Sequence, residues 1–372
     1  MLLPDVADAL VCVLGAVAQL FIGRRLKVRP VLNHAVTAAM VFIYFCDEEN
    51  MIPAVRRMLP AAYRSDWVPA LFSVWFLLMI CVSVLILLRD RVSGFRADRR
   101  DFFKEATAAL CVTPTAAAVF GVITRKNVQV KTVDVKFANL PKDLQGLRLL
   151  QLSDIHIGTF YTATDLARVV DESNNLRPDI AFITGDLITS AKDPLDRCLL
   201  ELRRLRATYG TWGCMGNHER FADVEKYTES RARELGIHFL RHEAAPMKFG
   251  DERLNIAGVD YQRFHRPYLE GVEELVSRDA FNLLLSHNPD VFPRAAQMGF
   301  NLTLAGHTHG GQVNVEILRK SLNVADFFTP YTKGLYTLNN SSLYVNSGLG
   351  TIGMPVRLGA PPEITLIRLC ST

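Results

Sequence analysis

A pair of histidines at the end of an apolar run constrains this chain more than any other feature. The run Leu302–Ala305 has the length and character of a short buried strand, and the residues that follow it, Gly306–Gln312, have the sequence GHTHGGQ. His307 and His309 lie where the chain leaves the strand, and the glycines allow a sharp turn, so both imidazoles can face one bound group. On its own, the pair is equally compatible with a surface loop that binds no metal ion.

Four apolar runs upstream of this pair also end in residues of metal-binding type. The residues that follow those runs are, in chain order, Asp154 and His156, Asp186, Asn217 with His218 and Glu219, and His287. Functional sites of α/β proteins form at the carboxyl ends of strands, so we expect these residues to meet at one edge of a sheet. With the histidine pair, and leaving Glu219 aside, they supply two carboxylates, one amide and five imidazoles.

This set of donors exceeds what one metal ion needs and suits two divalent ions that share a carboxylate. It contains no thiolate and mixes imidazoles with oxygen donors, which favours Mn²⁺, Fe or Zn²⁺ over Mg²⁺ and Ca²⁺. Two such ions, about 3.5–4 Å apart, can activate a water molecule and hold a phosphoryl oxygen during in-line attack on phosphorus. The sequence therefore predicts a centre of two divalent metal ions.

Composition excludes several other classes of protein. The seven cysteines are scattered without a C-x-x-C pair, which argues against a disulfide framework and against a cysteine-based zinc site. The net charge of +4 is too small to indicate nucleic-acid binding. Oligomeric state is not predicted from these features.

From Val128 onward the chain alternates strand-like and helix-like segments. Val128–Phe137 alternates like an edge strand, and a capping box at Thr162 opens a predicted helix that continues to about Asn174. The later strands have no helices between them, which fits an α/β fold of two packed β-sheets flanked by helices. We place the domain boundary at Arg125–Asn127, so residues 1–126 form one region and residues 127–372 the catalytic domain.

The first region is predicted to be transmembrane, with three or four helices. The chain is 49% hydrophobic with a mean hydropathy of +0.13, and four apolar runs precede the boundary. These runs are Asp5–Gly23, Val31–Cys46, Val68–Leu88 and Ala106–Thr124. Four runs separated by charged loops favour membrane spans over buried core helices. Whether the second run spans is left open, because it is short and contains Asn33 and His34.

Basic residues predict the orientation of these spans. Arginines and lysines cluster at residues 24–29 and 89–104, and such clusters stay in the cytoplasm. The fourth span would then carry the catalytic domain out of the cytoplasm, which makes the chain an integral protein of the inner cell membrane. If the fourth run lies on the membrane instead of crossing it, the domain faces the cytoplasm.

The ordered motifs resemble the five signatures of the calcineurin-like metallophosphoesterase superfamily. They are Asp154-x-His156, Gly185-Asp186, Gly216-Asn217-His218-Glu219, His287 and Gly306-His307-x-His309. The resemblance spans roughly residues 147–312. It implies a sandwich of two mixed sheets between helical layers, and a metal-dependent hydrolase that acts on phosphoester or pyrophosphate bonds.

The resemblance also implies a role for each position. The expected metal ligands are Asp154, His156 and His309 for the first ion, Asp186 between both ions, and Asn217, His287 and His307 for the second. His218 would not be a ligand; it would donate a proton to the leaving oxygen. Glu219 either orients His218 or is a surface carboxylate near the rim of the site.

Four longer sequence segments resemble a narrower, membrane-associated branch of the superfamily. These segments are residues 306–312, 286–290, 343–350 and 355–357. The branch includes UDP-2,3-diacylglucosamine hydrolases of lipid A biosynthesis and exported cell-wall phosphoesterases, which implies a lipid-linked or cell-envelope substrate. Arg357 either binds a substrate phosphate through two hydrogen bonds or forms a structural ion pair. Residues 313–342 form a lid, an acyl-binding wall or a plain surface loop.

Two other functions remain as alternatives. One is a nucleotide or phosphoprotein phosphatase, which would use the same centre on a different substrate. The other is a metal-bound scaffold without catalysis, but every catalytic position of the superfamily is filled in this chain, which argues against it. The expected partners are the membrane and a phosphoester substrate, and not nucleic acid.

Overall fold

A computed structural model of the chain describes residues 3–25, 27–45, 116–262, 268–317 and 320–372, together with short helical stretches between residues 74 and 87. The chain divides into two compact units. One comprises residues 1–122 with 353–355, and the other comprises residues 123–352 with 356–372. The second unit contains both of the large β-sheets described below.

The first unit contains two long helices near the amino terminus, α1 (Leu3–Arg25) and α2 (Pro30–Phe45). Asn33, which lies in an apolar segment, accepts a hydrogen bond from Gln19 Nε2 at 3.1 Å, and Gln19 Oε1 accepts one from Trp75 Nε1 at 3.1 Å. These contacts pair polar groups that apolar surroundings would otherwise leave without partners.

The described residues cover the predicted membrane spans unequally. Asp5–Gly23 lies inside α1, and Val31–Cys46 coincides with α2 except for its last residue, whereas Val68–Leu88 and Ala106–Thr124 are described only in part. At 1.5 Å per residue, the 16 residues of α2 extend about 24 Å, less than the ~30 Å hydrocarbon core of a bilayer. Within the described residues, no helix has both the length and the apolar character expected of a membrane span. The transmembrane region stays a prediction.

Two six-stranded sheets form the framework of the second unit. The strands are β1 (Gln129–Phe137), β2 (Arg148–Leu152), β3 (Ile180–Thr184), β4 (Thr211–Cys214), β5 (Ile237–Phe239), β6 (Glu243–Phe249), β7 (Glu252–Gly258), β8 (Phe281–Leu285), β9 (Leu302–Ala305), β10 (Asn314–Ile317), β11 (Lys320–Asn323), β12 (Gly334–Leu338), β13 (Ser341–Val345) and β14 (Glu363–Ser371). The first sheet has the order β1-β14-β2-β3-β4-β5, and the second has the order β12-β13-β9-β8-β7-β6; β10 and β11 form a separate two-stranded sheet.

Both sheets are mixed, as the sequence predicted. In the first, β2 to β5 are parallel neighbours, and β14 pairs antiparallel with β2. In the second, β13, β9, β8 and β7 are parallel neighbours, and β12 and β6 close the edges in antiparallel pairs. The parallel strands of each sheet direct several carboxyl ends toward a single edge.

The main hydrophobic core lies between the two sheets. Leu149 and Phe182 from the first sheet share one buried cluster with Leu283 and Leu304 from the second. Leu150, the next residue in β2, belongs to a different buried cluster on the opposite face of its sheet. Because both faces of the central strands are covered, these strands are continuous apolar runs in the sequence.

Helices cover the outer faces of both sheets. They are α3 (Ala163–Asn175), α4 (Leu195–Leu202), α5 (Asn217–Phe221), α6 (Glu225–Glu234) and α7 (Phe292–Met298). The capping box predicted at the start of α3 is present, with Thr162 and Asp165 bonded reciprocally. Residues of α3 and α4 pack against the first sheet, and Ala295 of α7 packs against Leu284 of the second. The result is two packed sheets between helical layers.

Several elements were not predicted from the sequence. Residues 313–342, for which a lid, an acyl-binding wall and a surface loop were considered, contain the hairpin β10–β11 and the edge strand β12. The short strand β5 and the edge strand β6 were also missed. Pro246 lies within β6, where the position at the edge of the sheet tolerates a residue without a backbone donor.

Candidate metal centre

The strand ends singled out by the sequence meet at one edge of the two sheets. β2, β3 and β4 are parallel neighbours in the first sheet, and β8 and β9 are parallel neighbours in the second. The buried side chain of Gln151, in β2, donates from Nε2 to Thr184 Oγ1 at 2.9 Å and to the Ala305 carbonyl at 2.9 Å. One amide therefore joins β2 to β3 and to β9 of the other sheet, close to the candidate ligands.

Asp154, His156 and His309 form the first group of candidate ligands. One ligand atom from each lies within 4.8 Å of those of the other two. His309 Nε2 is 3.3 Å from Asp154 Oδ1 and 3.1 Å from His156 Nε2, and all three residues are buried. The Asp154 carboxylate also accepts the backbone N–H of His307 at 3.0 Å, which fixes its direction.

Asp186, His287 and His307 form the second group. His287 Nε2 is 3.0 Å from Asp186 Oδ2 and 3.2 Å from His307 Nδ1. His287 Nδ1 is 2.6 Å from the Thr184 carbonyl, and since a carbonyl only accepts, Nδ1 carries hydrogen and Nε2 faces the carboxylate. Asp186 lies between the two groups, because its Oδ2 is also 3.5 Å from His156 Nε2.

Asn217 provides the test of whether cations fit this centre. It is only 6% exposed, and within the described part of the chain its Oδ1 is buried without a hydrogen-bond partner. Burying an amide oxygen without a partner is unfavourable, and coordination of a cation would satisfy it. The residue after Asn217, His218, donates its backbone N–H to Asp186 Oδ1 at 2.9 Å, so Asn217 adjoins a residue that contacts a candidate ligand. A partnerless amide oxygen together with carboxylates and imidazoles is a donor set that divalent transition metals take. The residues present therefore fit the predicted ions.

His218 lies beside the first group. Its ring is 4.8 Å from that of His156, centroid to centroid, in an edge-to-face arrangement. His218 Nδ1 is 2.8 Å from the Thr189 carbonyl, so Nδ1 carries hydrogen and Nε2 is the nitrogen left for proton exchange. The Thr189 hydroxyl is in turn 2.9 Å from His156 Nδ1. Thr189 was not singled out from the sequence, since a threonine after the apolar pair Leu187-Ile188 carries no distinguishing signal.

Glu219 occupies a position that neither sequence interpretation described. It is fully buried, which excludes a surface carboxylate, and its oxygens are bonded to backbone N–H groups instead of the ring of His218. Oε2 accepts from Asp186 at 2.9 Å and Gly216 at 2.8 Å, and Oε1 accepts from Leu187 at 2.6 Å. Glu219 thus joins the loop after β3 to the loop after β4. Burial raises the pKa of Glu219, and the nearby Asp186 charge adds to this effect.

Arg357 is also placed differently from its prediction. The guanidinium is 2% exposed and donates to the carbonyls of Gly350 at 2.8 Å, Ser347 at 2.9 Å and Ala360 at 3.0 Å. Its Nη2 contacts Gly350 again and lies 3.3 Å from His309 Nδ1. Four of the five N–H groups are therefore directed at backbone carbonyls and the fifth faces the His309 ring, which leaves none for a substrate phosphate. Among the residues that the structure describes, no carboxylate accepts a hydrogen bond from Arg357, so the alternative of an ion pair is not observed there.

The backbone around the ligands is conformationally unusual. Five of the seven candidate ligands have positive φ, namely Asp154 at 49°, His156 at 44°, Asp186 at 55°, His307 at 74° and His309 at 52°. Such conformations are unfavourable for residues with a Cβ and occur mainly at functional sites. A Cβ on Gly306 would lie 2.0 Å from Ser153 Oγ, and one on Gly216 would lie 2.1 Å from Asp186 Oδ1. Only glycine allows these loops to approach each other so closely.

Burial and the neighbouring carboxylates together set the pKa values of the imidazoles. Burial lowers the pKa of His156 to about 3 and that of His307 to about 4, so both are neutral at neutral pH, the form that binds metal ions. Burial acts in the same direction on His287, but the Asp186 and Asp154 carboxylates outweigh it and raise the pKa of His287 to about 10. Burial raises the pKa of Asp154 to about 6. The carboxylates thus hold a positive charge where the ligands converge.

Comparison with known proteins agrees with this geometry. Residues 147–311 match the calcineurin-like phosphoesterase family. An uncharacterised metallophosphoesterase of Bacillus subtilis is 29% identical, over 74% of this chain and 99% of its own length. Another, from Campylobacter jejuni, is 28% identical over 89% of this chain and 86% of its own length. A Bos taurus protein named transmembrane protein with metallophosphoesterase domain is 30% identical over 80% of this chain and 71% of its own length.

The chain therefore belongs to the calcineurin-like phosphoesterase family. It is a metal-dependent phosphoesterase, a hydrolase whose fold brings candidate ligands for divalent ions together at the edge of its two sheets. The family and the enzyme class predicted from the sequence are confirmed.

The contacts of Arg357 predict a structural effect of its substitution. In Arg357→Met, three buried carbonyls lose their donors, and we expect the unfolding free energy to fall by about 1–3 kcal/mol. Thermal unfolding of the full chain measures this change. Arg357→Lys should recover only part of the lost stability, because lysine has fewer donors than arginine. A raised KM with an unchanged Tm in both variants would instead favour contact with a substrate phosphate.

Proposed function

We propose that this phosphoesterase is anchored in the inner membrane and uses two divalent metal ions to cleave a phosphodiester or pyrophosphate bond. The substrate we propose is lipid-linked or part of the cell envelope, similar to that of UDP-2,3-diacylglucosamine hydrolases. The observation that carries the catalytic part is the convergence of the two ligand groups, five of whose six residues are buried, together with the partnerless amide oxygen of Asn217.

Each residue has a proposed task in this reaction. Asp154, His156 and His309 would hold one ion, Asn217, His287 and His307 the other, and Asp186 both. When bound, the ions, which we propose are Mn²⁺ with Fe or Zn²⁺ as alternatives, supply Lewis-acid stabilisation of charge and an activated water. Thr184 keeps Nε2 of His287 turned inward, and Glu219 fixes the backbone on both sides of Asp186.

His218 would act on the leaving group. The Thr189 carbonyl accepts the Nδ1 hydrogen, so a protonated His218 would carry its second proton on Nε2. When the bond from phosphorus to the leaving oxygen breaks, that proton would pass to the oxygen and His218 would become neutral. Supplying the proton avoids the release of a free alkoxide, and such general acid catalysis contributes about 10²–10⁴-fold in rate.

Membrane anchoring is supported by the sequence and by one relative. The apolar run Asp5–Gly23 lies in the 23-residue helix α1, and the Bos taurus relative is named as a transmembrane protein. The basic clusters at residues 24–29 and 89–104 support a catalytic domain outside the cytoplasm. On this arrangement, the centre would meet substrates of the cell envelope.

Substitution of Asp186 and of His218 should have different effects. Asp186→Asn removes the carboxylate shared by the two ligand groups, so metal content and activity should both be lost. His218→Ala should retain both metals and lose about 10²–10⁴-fold in kcat, because only the proton donor is removed. Metal analysis of the purified full chain and steady-state kinetics distinguish the two. Turnover like that of the wild type at all pH values in His218→Ala would show that the acid assignment is wrong.

The substrate class is tested by paired assays of the full chain with Mn²⁺. We expect hydrolysis of UDP-2,3-diacylglucosamine and of bis(p-nitrophenyl) phosphate to exceed that of the monoester p-nitrophenyl phosphate. The matched control is Asp186→Asn, which should cleave none of them. Preference for the monoester would favour a nucleotide or phosphoprotein phosphatase, and two bound metals without any hydrolysis would favour a scaffold.

Orientation is tested by protease accessibility in intact spheroplasts. Protease added outside should digest residues 127–372 if this part of the chain lies outside the cytoplasm. The control is the same treatment after detergent lysis, which should expose the domain whatever its orientation. Complete protection before lysis would exclude the external placement.

A further inference from the structure

The turn that follows Ile188 contacts two residues with different proposed tasks. Thr189 Oγ1 is 2.9 Å from Nδ1 of the candidate ligand His156, and the Thr189 carbonyl is 2.8 Å from Nδ1 of the proton donor His218. One residue therefore holds both imidazoles through different atoms. The two rings are also in contact with each other, with centroids 4.8 Å apart.

Asp193 holds this turn in place. Its Oδ2 accepts the backbone N–H of Thr189 at 2.8 Å and of Ser190 at 2.7 Å. The bond from Ser190 fixes the direction of the peptide that carries the Thr189 carbonyl, and the bond from Thr189 fixes the peptide before it. Thr189 and Ser190 are otherwise exposed, so few core contacts constrain the turn. The Asp193 carboxylate is thus the main restraint that the structure shows on the position of Thr189.

The Thr189 carbonyl selects the tautomer of His218, and the tautomer of His156 follows from which of its nitrogens binds the ion. The carbonyl cannot donate, so His218 Nδ1 carries hydrogen and Nε2 is left for the leaving group. His156 Nε2 faces Asp186 Oδ2 at 3.5 Å and His309 Nε2 at 3.1 Å. If Nε2 of His156 is the ligand atom, its Nδ1–H donates to the Thr189 hydroxyl, an outer contact that orients metal-binding histidines.

We propose that Thr189, held by Asp193, is a positioning residue that couples the alignment of a metal ligand to that of the proton donor. The hydroxyl orients His156 for the first ion, and the carbonyl orients His218 for the leaving oxygen. Only the part of this inference that concerns His218 rests on the proposed function. The His156 part concerns metal affinity, which is measured without turnover.

The hydroxyl is tested by Thr189→Val and Thr189→Ser in the full chain. Because the side chain is exposed, neither change should unfold the protein. We expect Thr189→Val to weaken Mn²⁺ affinity by about 10–100-fold, and Thr189→Ser, which keeps the hydroxyl, to restore most of it. Thr337→Val, at an exposed position of β12, is the matched control and should bind Mn²⁺ like the wild type. Equal Mn²⁺ affinity of wild type and Thr189→Val would overturn the proposal.

The carbonyl is tested by Asp193→Ala, with Asp193→Asn as the conservative variant that keeps an acceptor. Release of the turn should lower kcat on an alkyl phosphodiester more than on a p-nitrophenyl diester, because the phenolate leaves without needing a proton. In Asp193→Asn, the loss of kcat on the alkyl diester should exceed that on the p-nitrophenyl diester by less than in Asp193→Ala. Equal losses on both diesters would overturn the coupling to His218. If the wild type cleaves neither these diesters nor UDP-2,3-diacylglucosamine, the proposed function fails, and the Mn²⁺ titrations still decide the role of the Thr189 hydroxyl.

Discussion

The burial of three carboxylates at one edge of the two sheets is the constraint on which this centre depends. Asp154, Asp186 and Glu219 are each at most 2% exposed, and a buried charge is unfavourable unless it is paired and hydrogen-bonded. Backbone N–H groups meet part of this requirement, because His307 donates to Asp154 and His218 donates to Asp186. The left-handed backbone of the ligands and the close approach of Gly216 and Gly306 follow from bringing these N–H groups to the carboxylates.

Much of the fold was predictable because the central strands are covered on both faces. Runs such as Leu149–Leu152 and Ile180–Thr184 are largely apolar, since alternate residues pack between the sheets and under the helices. Their ends were recognisable because polar residues follow abruptly. The structure brings together the candidate ligands named from these ends, although their role in binding metal remains a proposal.

Other parts could not be predicted, for reasons that differ from one residue to the next. Glu219 contacts backbone N–H groups of the loop after β3, and Thr189 contacts the rings of His156 and His218. No spacing in the sequence indicates which of these loops will be adjacent. Arg357 was expected to bind a substrate phosphate or to form an ion pair, but its guanidinium is enclosed by carbonyls of the chain itself. The strand β6 contains Pro246 and exposed charges, so its apolar pattern is weak, and its identity depends on pairing with β7.

The bridging amide of Gln151 has a consequence for how the family can vary. The spacing between ligands from the first sheet and those from the second is set by how the sheets pack, and Gln151 ties β2 to β3 and β9 at that junction. Segments at the rim, such as the hairpin β10–β11, lie outside this junction. Rim loops can therefore lengthen, shorten or change composition without moving the candidate ligands, so substrate range can diversify around one reaction centre.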